Sequence, residues 1–116
     1  EVEDQISGKD QQNGLPPNFV HSLDAACMHR VVSRMHDSGI RDFSMIHDSY
    51  AVHASDVDTM HRMIREEFSE VFLDDQLDSL HREVQSYLPE GASLPEPPAK
   101  GKLNINLLKE ANYFFA

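Results

Sequence analysis

The sequence predicts an α+β fold, with one β-hairpin packed against about three helices and then a proline-rich connector and a docked C-terminal tail. Alternating apolar and polar residues from Phe43 to Val52 predict two short strands. Apolar residues at helical spacing predict helices before and after them. A single hairpin is only marginally stable, and its edges need to be covered. We therefore expect the sheet to be incomplete without further sequence.

The charge of the chain limits its partners. Its 116 residues carry a net charge of -10. A free-standing nucleic-acid binder would usually present a basic surface, so this balance argues against that class. Acidic surfaces do suit divalent cations. The single cysteine, Cys27, cannot form an internal disulfide and is expected to be a small core residue.

The chain divides by composition into three parts. Residues 1–15 form a polar lead-in, expected to be a loop, and residues 16–88 contain the helices and the hairpin. Residues 89–116 hold the proline-rich connector and an aromatic end that we expect to dock. No membrane-spanning run or secretory signal is seen, which favours an intracellular protein without a membrane partner.

The first predicted helix is capped by Ser22 and stopped near Gly39. Its apolar stripe is Val20, Leu23, Cys27, Val31 and Met35. Because Met28 and Val32 widen this stripe, we expect the helix to be covered on two sides.

Two more helices are predicted after the hairpin. Ser55 is the expected cap of the second helix, with Asp58 three residues later as in a capping box. The apolar stripe of this helix is Val57, Met60, Ile64, Phe68 and Val71. A break at Asp74-Asp75 begins a third helix, whose stripe is Leu77, Leu80, Val84, Tyr87 and Leu88.

The bend of the hairpin is the best candidate for a functional site. We expect Asp48-Ser49 at the bend, where a two-residue turn normally contains glycine. Such a local conflict is typical of functional positions. Asp48 is therefore a candidate ligand for Mg²⁺, which prefers carboxylate oxygen. By spacing alone, an ordinary turn aspartate is an equally good interpretation.

The seven histidines do not form a zinc motif. Five of them are interpreted as solvated or packing residues: His29, His36, His53, His61 and His81. His21 differs because it precedes the predicted helix start, where polar groups can approach a phosphate or a base edge. Two other functions remain open. One is a small metal-dependent hydrolase that uses His47, Asp48 and His53, and the other is a helical adaptor that docks through its apolar tail.

Four segments of the sequence resemble the C-terminal portion of the single-subunit, phage-type DNA-dependent RNA polymerases, which include mitochondrial enzymes. The similarity runs in order from about Lys9 to Ala116. The four segments are Pro16 to Asp24, Ile46 to Tyr50, His53 to Val57 and Tyr113 to Ala116. The related family A DNA polymerases usually have glutamate after His-Asp, and a palm fragment of that class is the alternative. Ser49 at this position favours RNA synthesis.

The resemblance implies that the hairpin belongs to a polymerase palm and that Asp48 is its second catalytic aspartate. Asp48 would bind two Mg²⁺ ions together with an aspartate outside this chain, and His47 would support it. His21 would approach the base pair at the growing RNA end. Phe115 and Ala116 would form a C-terminal foot near the active site.

The resemblance also implies the partners: the remainder of the polymerase, template DNA, RNA product and nucleoside triphosphates. The 116 residues alone are expected to be inactive. The acidity and the lack of a targeting segment favour a phage protein in the host cytoplasm, with the mitochondrial matrix as the alternative.

Overall fold

A computed structural model describes residues 6–114 of the chain. The helices are α1 (Gly8–Asp37), α2 (Val57–Leu73) and α3 (Gln76–Tyr87). The strands β1 (Phe43–Ile46) and β2 (Ser49–Val52) pair antiparallel between α1 and α2. Short 3-10 helices cover Ala54–Asp56 and Ile105–Lys109. None of the helices in this part of the chain is long and apolar enough to cross a membrane.

Helix α1 begins earlier than predicted. Its N-cap is Ser7, whose side chain accepts a hydrogen bond from the Asp10 amide at 3.3 Å. The predicted cap Ser22 lies inside the helix, where its hydroxyl donates to the Phe19 carbonyl at 2.7 Å. The expectation of a loop is therefore wrong for residues 8–15. Proline already has a helical φ, and this helix continues through Pro16 and Pro17 despite their missing amide donors.

The end of α1 agrees with the prediction. Ser38 is the C-cap, and Gly39 follows with a φ of 95°. The Ile40 amide then donates to the Met35 carbonyl at 3.1 Å, which closes the last turn. Glycine adopts this left-handed conformation at little cost, so it stops the helix and turns the chain toward β1.

The core lies where the C-terminal half of α1 meets α2 and the inner face of the hairpin. Its buried members are Val31, Met35, Ile40, Met63 and Ile64. Six partly buried side chains pack against them: Phe43, Met45, Tyr50, Val52, Met60 and Phe114. Cys27 is also buried, as expected. The predicted stripe of α1 fails only at its start, where Val20 is 61% exposed.

Helix α2 follows directly on the 3-10 helix Ala54–Asp56, so Ser55 is not its cap. Asp56 occupies the N-cap position without a side-chain capping bond. Most of the predicted stripe faces inward, with Ile64 and Val71 buried and Val57 43% exposed. The preceding 3-10 turn shifts the start of the helix, and this explains why the capping pattern was misleading.

Helix α3 begins after the predicted break, with Asp75 accepting a hydrogen bond from the Asp78 amide at 3.0 Å. None of its residues is buried, and Tyr87 is 79% exposed. Residues 89–104 contain no helix or strand. Lys100 ties the connector back to Asp75 at 2.7 Å. The three-part division of the chain stays a prediction.

Candidate active site

The hairpin bend consists of His47 and Asp48, because Ile46 pairs with Ser49. This is one residue earlier than predicted, and Ser49 already belongs to β2. His47 has a φ of 54°, a left-handed conformation that is uncommon for a residue with a side chain. The conflict predicted at the bend is therefore real, but the backbone strain falls on His47 rather than on Ser49.

Asp48 is exposed and lines a cleft of about 650 Å³. One wall is the start of β2, a second is the first turns of α2, and the third is Phe114 from the C-terminal segment. The lining residues are Asp48, Ser49, Tyr50, Val57, Met60, His61, Ile64 and Phe114. The fold thus places a carboxylate in the lining of a cleft that the hairpin, α2 and Phe114 enclose.

His21 and His47 line a second, smaller pocket of about 250 Å³. Asp24, Ala25 and Met28 from α1 complete it. Although 26 positions separate the two histidines in the sequence, α1 passes beside the bend and brings them together. The bend therefore serves two cavities, with Asp48 facing one and the neighbouring His47 facing the other.

Tyr50 lines the Asp48 cleft, and its phenol interacts electrostatically with Asp48 and with Asp24 of the smaller pocket. Burial raises the pKa of its phenol to about 12, and the nearby Cys27, Asp24 and Asp48 add to this shift. A negative charge on the phenolate would lie in a partly desolvated site beside other acidic groups, so the neutral form is favoured. Sequence reasoning did not identify Tyr50 as a site residue. The alternation of β2, which turns Tyr50 inward, was the available signal.

His61 is a second lining residue that the sequence analysis overlooked. It was interpreted as a solvated or packing histidine, and it is half-buried one turn after Val57. Its Nε2 lies 3.4 Å from Nη2 of Arg65. The helical spacing of residues 57, 61 and 64 indicated that His61 shares the inward face, but it did not indicate what that face would meet.

At the C-terminal end, the structure places Phe114 against α2 and the core. The Phe114 ring meets the Phe68 ring edge to face, with centroids 5.0 Å apart. Tyr113 is 92% exposed. The two residues expected to form the foot, Phe115 and Ala116, lie outside the described residues.

The three residues of the hydrolase hypothesis are not gathered into one site. Asp48 is at the bend, whereas His53 follows the other end of β2 and its Nε2 lies 3.7 Å from Oδ2 of Asp42. Within residues 6–114, no group of three His, Cys, Asp or Glu side chains is arranged to hold a metal ion. Asp48 still offers accessible carboxylate oxygens, a donor type that suits Mg²⁺ when other ligands come from elsewhere.

Comparison with known proteins identifies the family of this chain. The family model described as DNA-dependent RNA polymerase matches residues 1–94. The chain belongs to the phage-type DNA-dependent RNA polymerase family. DNA-directed RNA polymerase 1A of Nicotiana tabacum is 38% identical over 112 residues, which are 97% of this chain and 71% of that relative.

Longer members of the polymerase family match over the same extent of the chain. DNA-directed RNA polymerase 1, mitochondrial, of Nicotiana sylvestris is 38% identical, and its Arabidopsis thaliana counterpart is 33% identical. Each match covers 97% of this chain but only 11% of the relative. The chain therefore corresponds to a small part of these larger polymerases, and the resemblance found in the four motifs is confirmed.

Proposed function

We propose that this chain supplies one catalytic aspartate, Asp48, to a DNA-directed RNA polymerase. The observation that carries the proposal is the position of Asp48, exposed at a hairpin bend and at the edge of a cleft that Phe114 helps to close. Family membership gives the reaction class, which is nucleotidyl transfer during transcription. The remainder of the polymerase would provide the other aspartate, the template path and the nucleotide-binding residues.

The Asp48 side chain has the properties that this role needs. It projects from the short, paired hairpin rather than from a long loop, so its position is constrained by the strand register. Two Mg²⁺ ions, held jointly with an aspartate outside this chain, would supply the positive charge that stabilises the attacking and leaving oxygens. Asp48 contributes negative charge that holds such ions at the cleft, where the acidic chain alone would repel a nucleoside triphosphate.

His47 and His21 are proposed to act beside this centre. His47 fixes the direction of the bend, and its imidazole shares a pocket with His21. An imidazole can donate a hydrogen bond to the acceptors that base pairs present in the minor groove. We assign His21 to the base pair at the growing RNA end and His47 to support of Asp48. Phe115 and Ala116 continue from Phe114 and are proposed to complete the foot.

The cellular location is proposed from the relatives. Several of those that match this chain are named as mitochondrial or chloroplastic polymerases. This supports the organellar alternative, whereas the phage interpretation gains no support from them. The relatives are also RNA polymerases rather than DNA polymerases, in agreement with Ser49 after His47-Asp48.

The test is Asp48→Asn in a polymerase that contains this chain as its C-terminal part. The change keeps the shape of the side chain and removes its charge, so RNA synthesis on a primed template should fall by at least about 10²-fold. Asp42→Asn is the matched control. Asp42 is an exposed carboxylate just before the same hairpin, and its replacement should leave synthesis unchanged. Near-normal synthesis by the Asp48→Asn enzyme would sink the assignment.

A further inference from the structure

Arg65, in the middle of α2, has an unusual environment for a charged residue. It is only 9% exposed. Among residues 6–114, its guanidinium has no carboxylate partner within 4.0 Å, although other arginines on α1 and α2 do. Its Nε is buried without a hydrogen-bond partner in this part of the chain. A buried charge is costly unless other groups compensate it, so its actual contacts are informative.

The compensation comes from the C-terminal segment. Nη1 of Arg65 donates to the carbonyl of Leu108 at 3.4 Å and to the carbonyl of Ala111 at a shorter distance. The guanidinium carbon lies 5.9 Å from the centroid of the Phe114 ring, within the range of a cation–π interaction. Arg65 thus binds the segment at three successive points along its path.

Two of these contacts are to main-chain carbonyls, so they fix the course of the backbone rather than the identity of a side chain. Ala111 is three residues before Phe114, and the same arginine contacts both. Nη2 of Arg65 also approaches Nε2 of His61, which must accept because a guanidinium only donates. His61 and Phe114 line the Asp48 cleft, whereas Arg65 does not.

We propose that Arg65 is a positioning residue that sets the wall of the Asp48 cleft by holding the C-terminal segment on α2. The positive charge of Arg65 is stabilised by two carbonyl dipoles and by the face of the Phe114 ring. These groups reach Arg65 only when the segment is docked. Loss of docking would remove all three contacts together, so the arginine and the docked segment stabilise one another. The consequence for RNA synthesis rests on the function proposed above, whereas the docking itself does not.

The experiment compares Arg65→Met, Arg65→Lys and Arg62→Met in the polymerase that contains this chain. Methionine keeps most of the apolar stem and removes every donor. Lysine keeps the charge but lacks the planar guanidinium, in which Nη1 reaches both carbonyls and Nη2 approaches His61. Arg62 is the matched control because it lies on the same helix, with a side chain that is 61% exposed and pairs with Glu66 at 3.9 Å.

Hydrogen exchange of the Glu110 and Ala111 amides is the direct readout, because both amides are hydrogen-bonded within the segment. Arg65→Met should accelerate their exchange and lower kcat for nucleotide addition by about tenfold to hundredfold, since a small displacement of a site wall is costly. Arg65→Lys should change the amide exchange rates and kcat less than Arg65→Met does. Arg62→Met should change neither quantity.

If Arg65→Met lowers the yield of folded enzyme, Phe114→Ala is the alternative variant. It removes the aromatic ring from the Arg65–Phe114 contact and leaves the arginine in place. It should also lower kcat, and adding Arg65→Met to it should produce little further loss, because both changes remove the same wall. Unchanged exchange in Arg65→Met, or accelerated exchange with unchanged kcat, would overturn the proposal. The proposal would also be overturned if the double variant lost kcat by the product of the two single losses.

The outcome can be separated from that of the proposed function. Asp48→Asn should abolish synthesis while leaving the exchange of the Glu110 and Ala111 amides slow. If Asp48→Asn retains synthesis, the catalytic assignment fails, and the exchange measurement still decides whether Arg65 holds the segment. If exchange is unaffected by Arg65→Met while Asp48→Asn is inactive, only the positioning role fails.

Discussion

Glu67 on α2 accepts a hydrogen bond from Nη1 of Arg34 on α1 at 2.7 Å, and its other carboxylate oxygen accepts one from Nε of Arg30 at 2.7 Å. The Glu67 side chain is only 11% exposed. Burial opposes its ionisation, but the two arginine hydrogen bonds outweigh that effect and lower the pKa of the carboxyl group. This carboxylate joins the two helices that support the hairpin.

Replacement of Glu67 by Gln should lower the free energy of unfolding by about 2 kcal/mol. Breaking a fully buried pair costs more than this, but both arginines retain water contact and lose less. Urea unfolding of the chain measures the difference. Glu70→Gln is the control, because the Glu70 side chain is half-exposed and pairs with Lys109 at 3.3 Å. Its effect should stay below about 1 kcal/mol.

The stabilisation from Glu67 should also depend on pH. Because the folded-state pKa is lowered, the contribution is present above the unfolded-state value of about 4.3 and is lost as pH falls through the folded-state pKa. The difference between the native chain and Glu67→Gln should therefore shrink between about pH 5 and pH 3. A difference that stays constant over that range would show that the ionised carboxylate does not stabilise the fold.

The left-handed conformation of His47 predicts which of two small residues, glycine or alanine, gives the more stable protein at this position. His47→Gly should be more stable than His47→Ala by about 1 kcal/mol, because alanine is strained at a φ of 54° and glycine is not. Arg41 provides the matched control, as an exposed residue just before the hairpin that does not have a positive φ. There the order should reverse, since glycine has the more flexible unfolded state.

His47→Gly also separates stability from activity. If the imidazole supports Asp48 as proposed, the glycine variant should incorporate nucleotides more slowly in the assembled polymerase although its hairpin is less strained. A variant that is both more stable and fully active would remove His47 from the functional site.

Tyr50 predicts a loss of stability in alkali. Its folded-state pKa is about 12, above the usual value for tyrosine of about 10, so the folded chain holds this proton more tightly than the unfolded chain. Stability from this source is present below pH 10 and is lost as pH rises from about 10 to about 12. Tyr50→Phe cannot ionise and should lose less stability over that interval.

Ultraviolet absorbance of the phenolate measures this titration directly. A component that ionises near pH 12 should disappear in Tyr50→Phe. It should remain in Tyr87→Phe, which removes a phenol that is 79% exposed on α3. A late-ionising component that survives in Tyr50→Phe would show that Tyr50 is not the desolvated tyrosine beside the Asp48 cleft.

Much of the candidate site was predictable from local pattern. The alternation from Phe43 to Val52 predicted the strands, and the stripe through Ile64 and Val71 predicted the buried face of α2. The start of α1 was not predictable in the same way. Ser22 and Pro16-Pro17 look like a boundary, whereas the helix actually begins at Gly8 after the Ser7 cap. Several residues before and within α1 can signal a helix start, and the sequence pattern does not show which of them is used.

The sequence by itself determined the polymerase family and the hairpin, because these depend on neighbouring residues and on motif spacing. Only the tertiary structure decided that Asp48 and Phe114 line one cleft, that His21 and His47 line one pocket, and that Arg65 is compensated by main-chain carbonyls. Each of these arrangements brings together residues far apart in the chain. The packing of α1 and the C-terminal segment on α2 creates them, and no local periodicity encodes such a meeting.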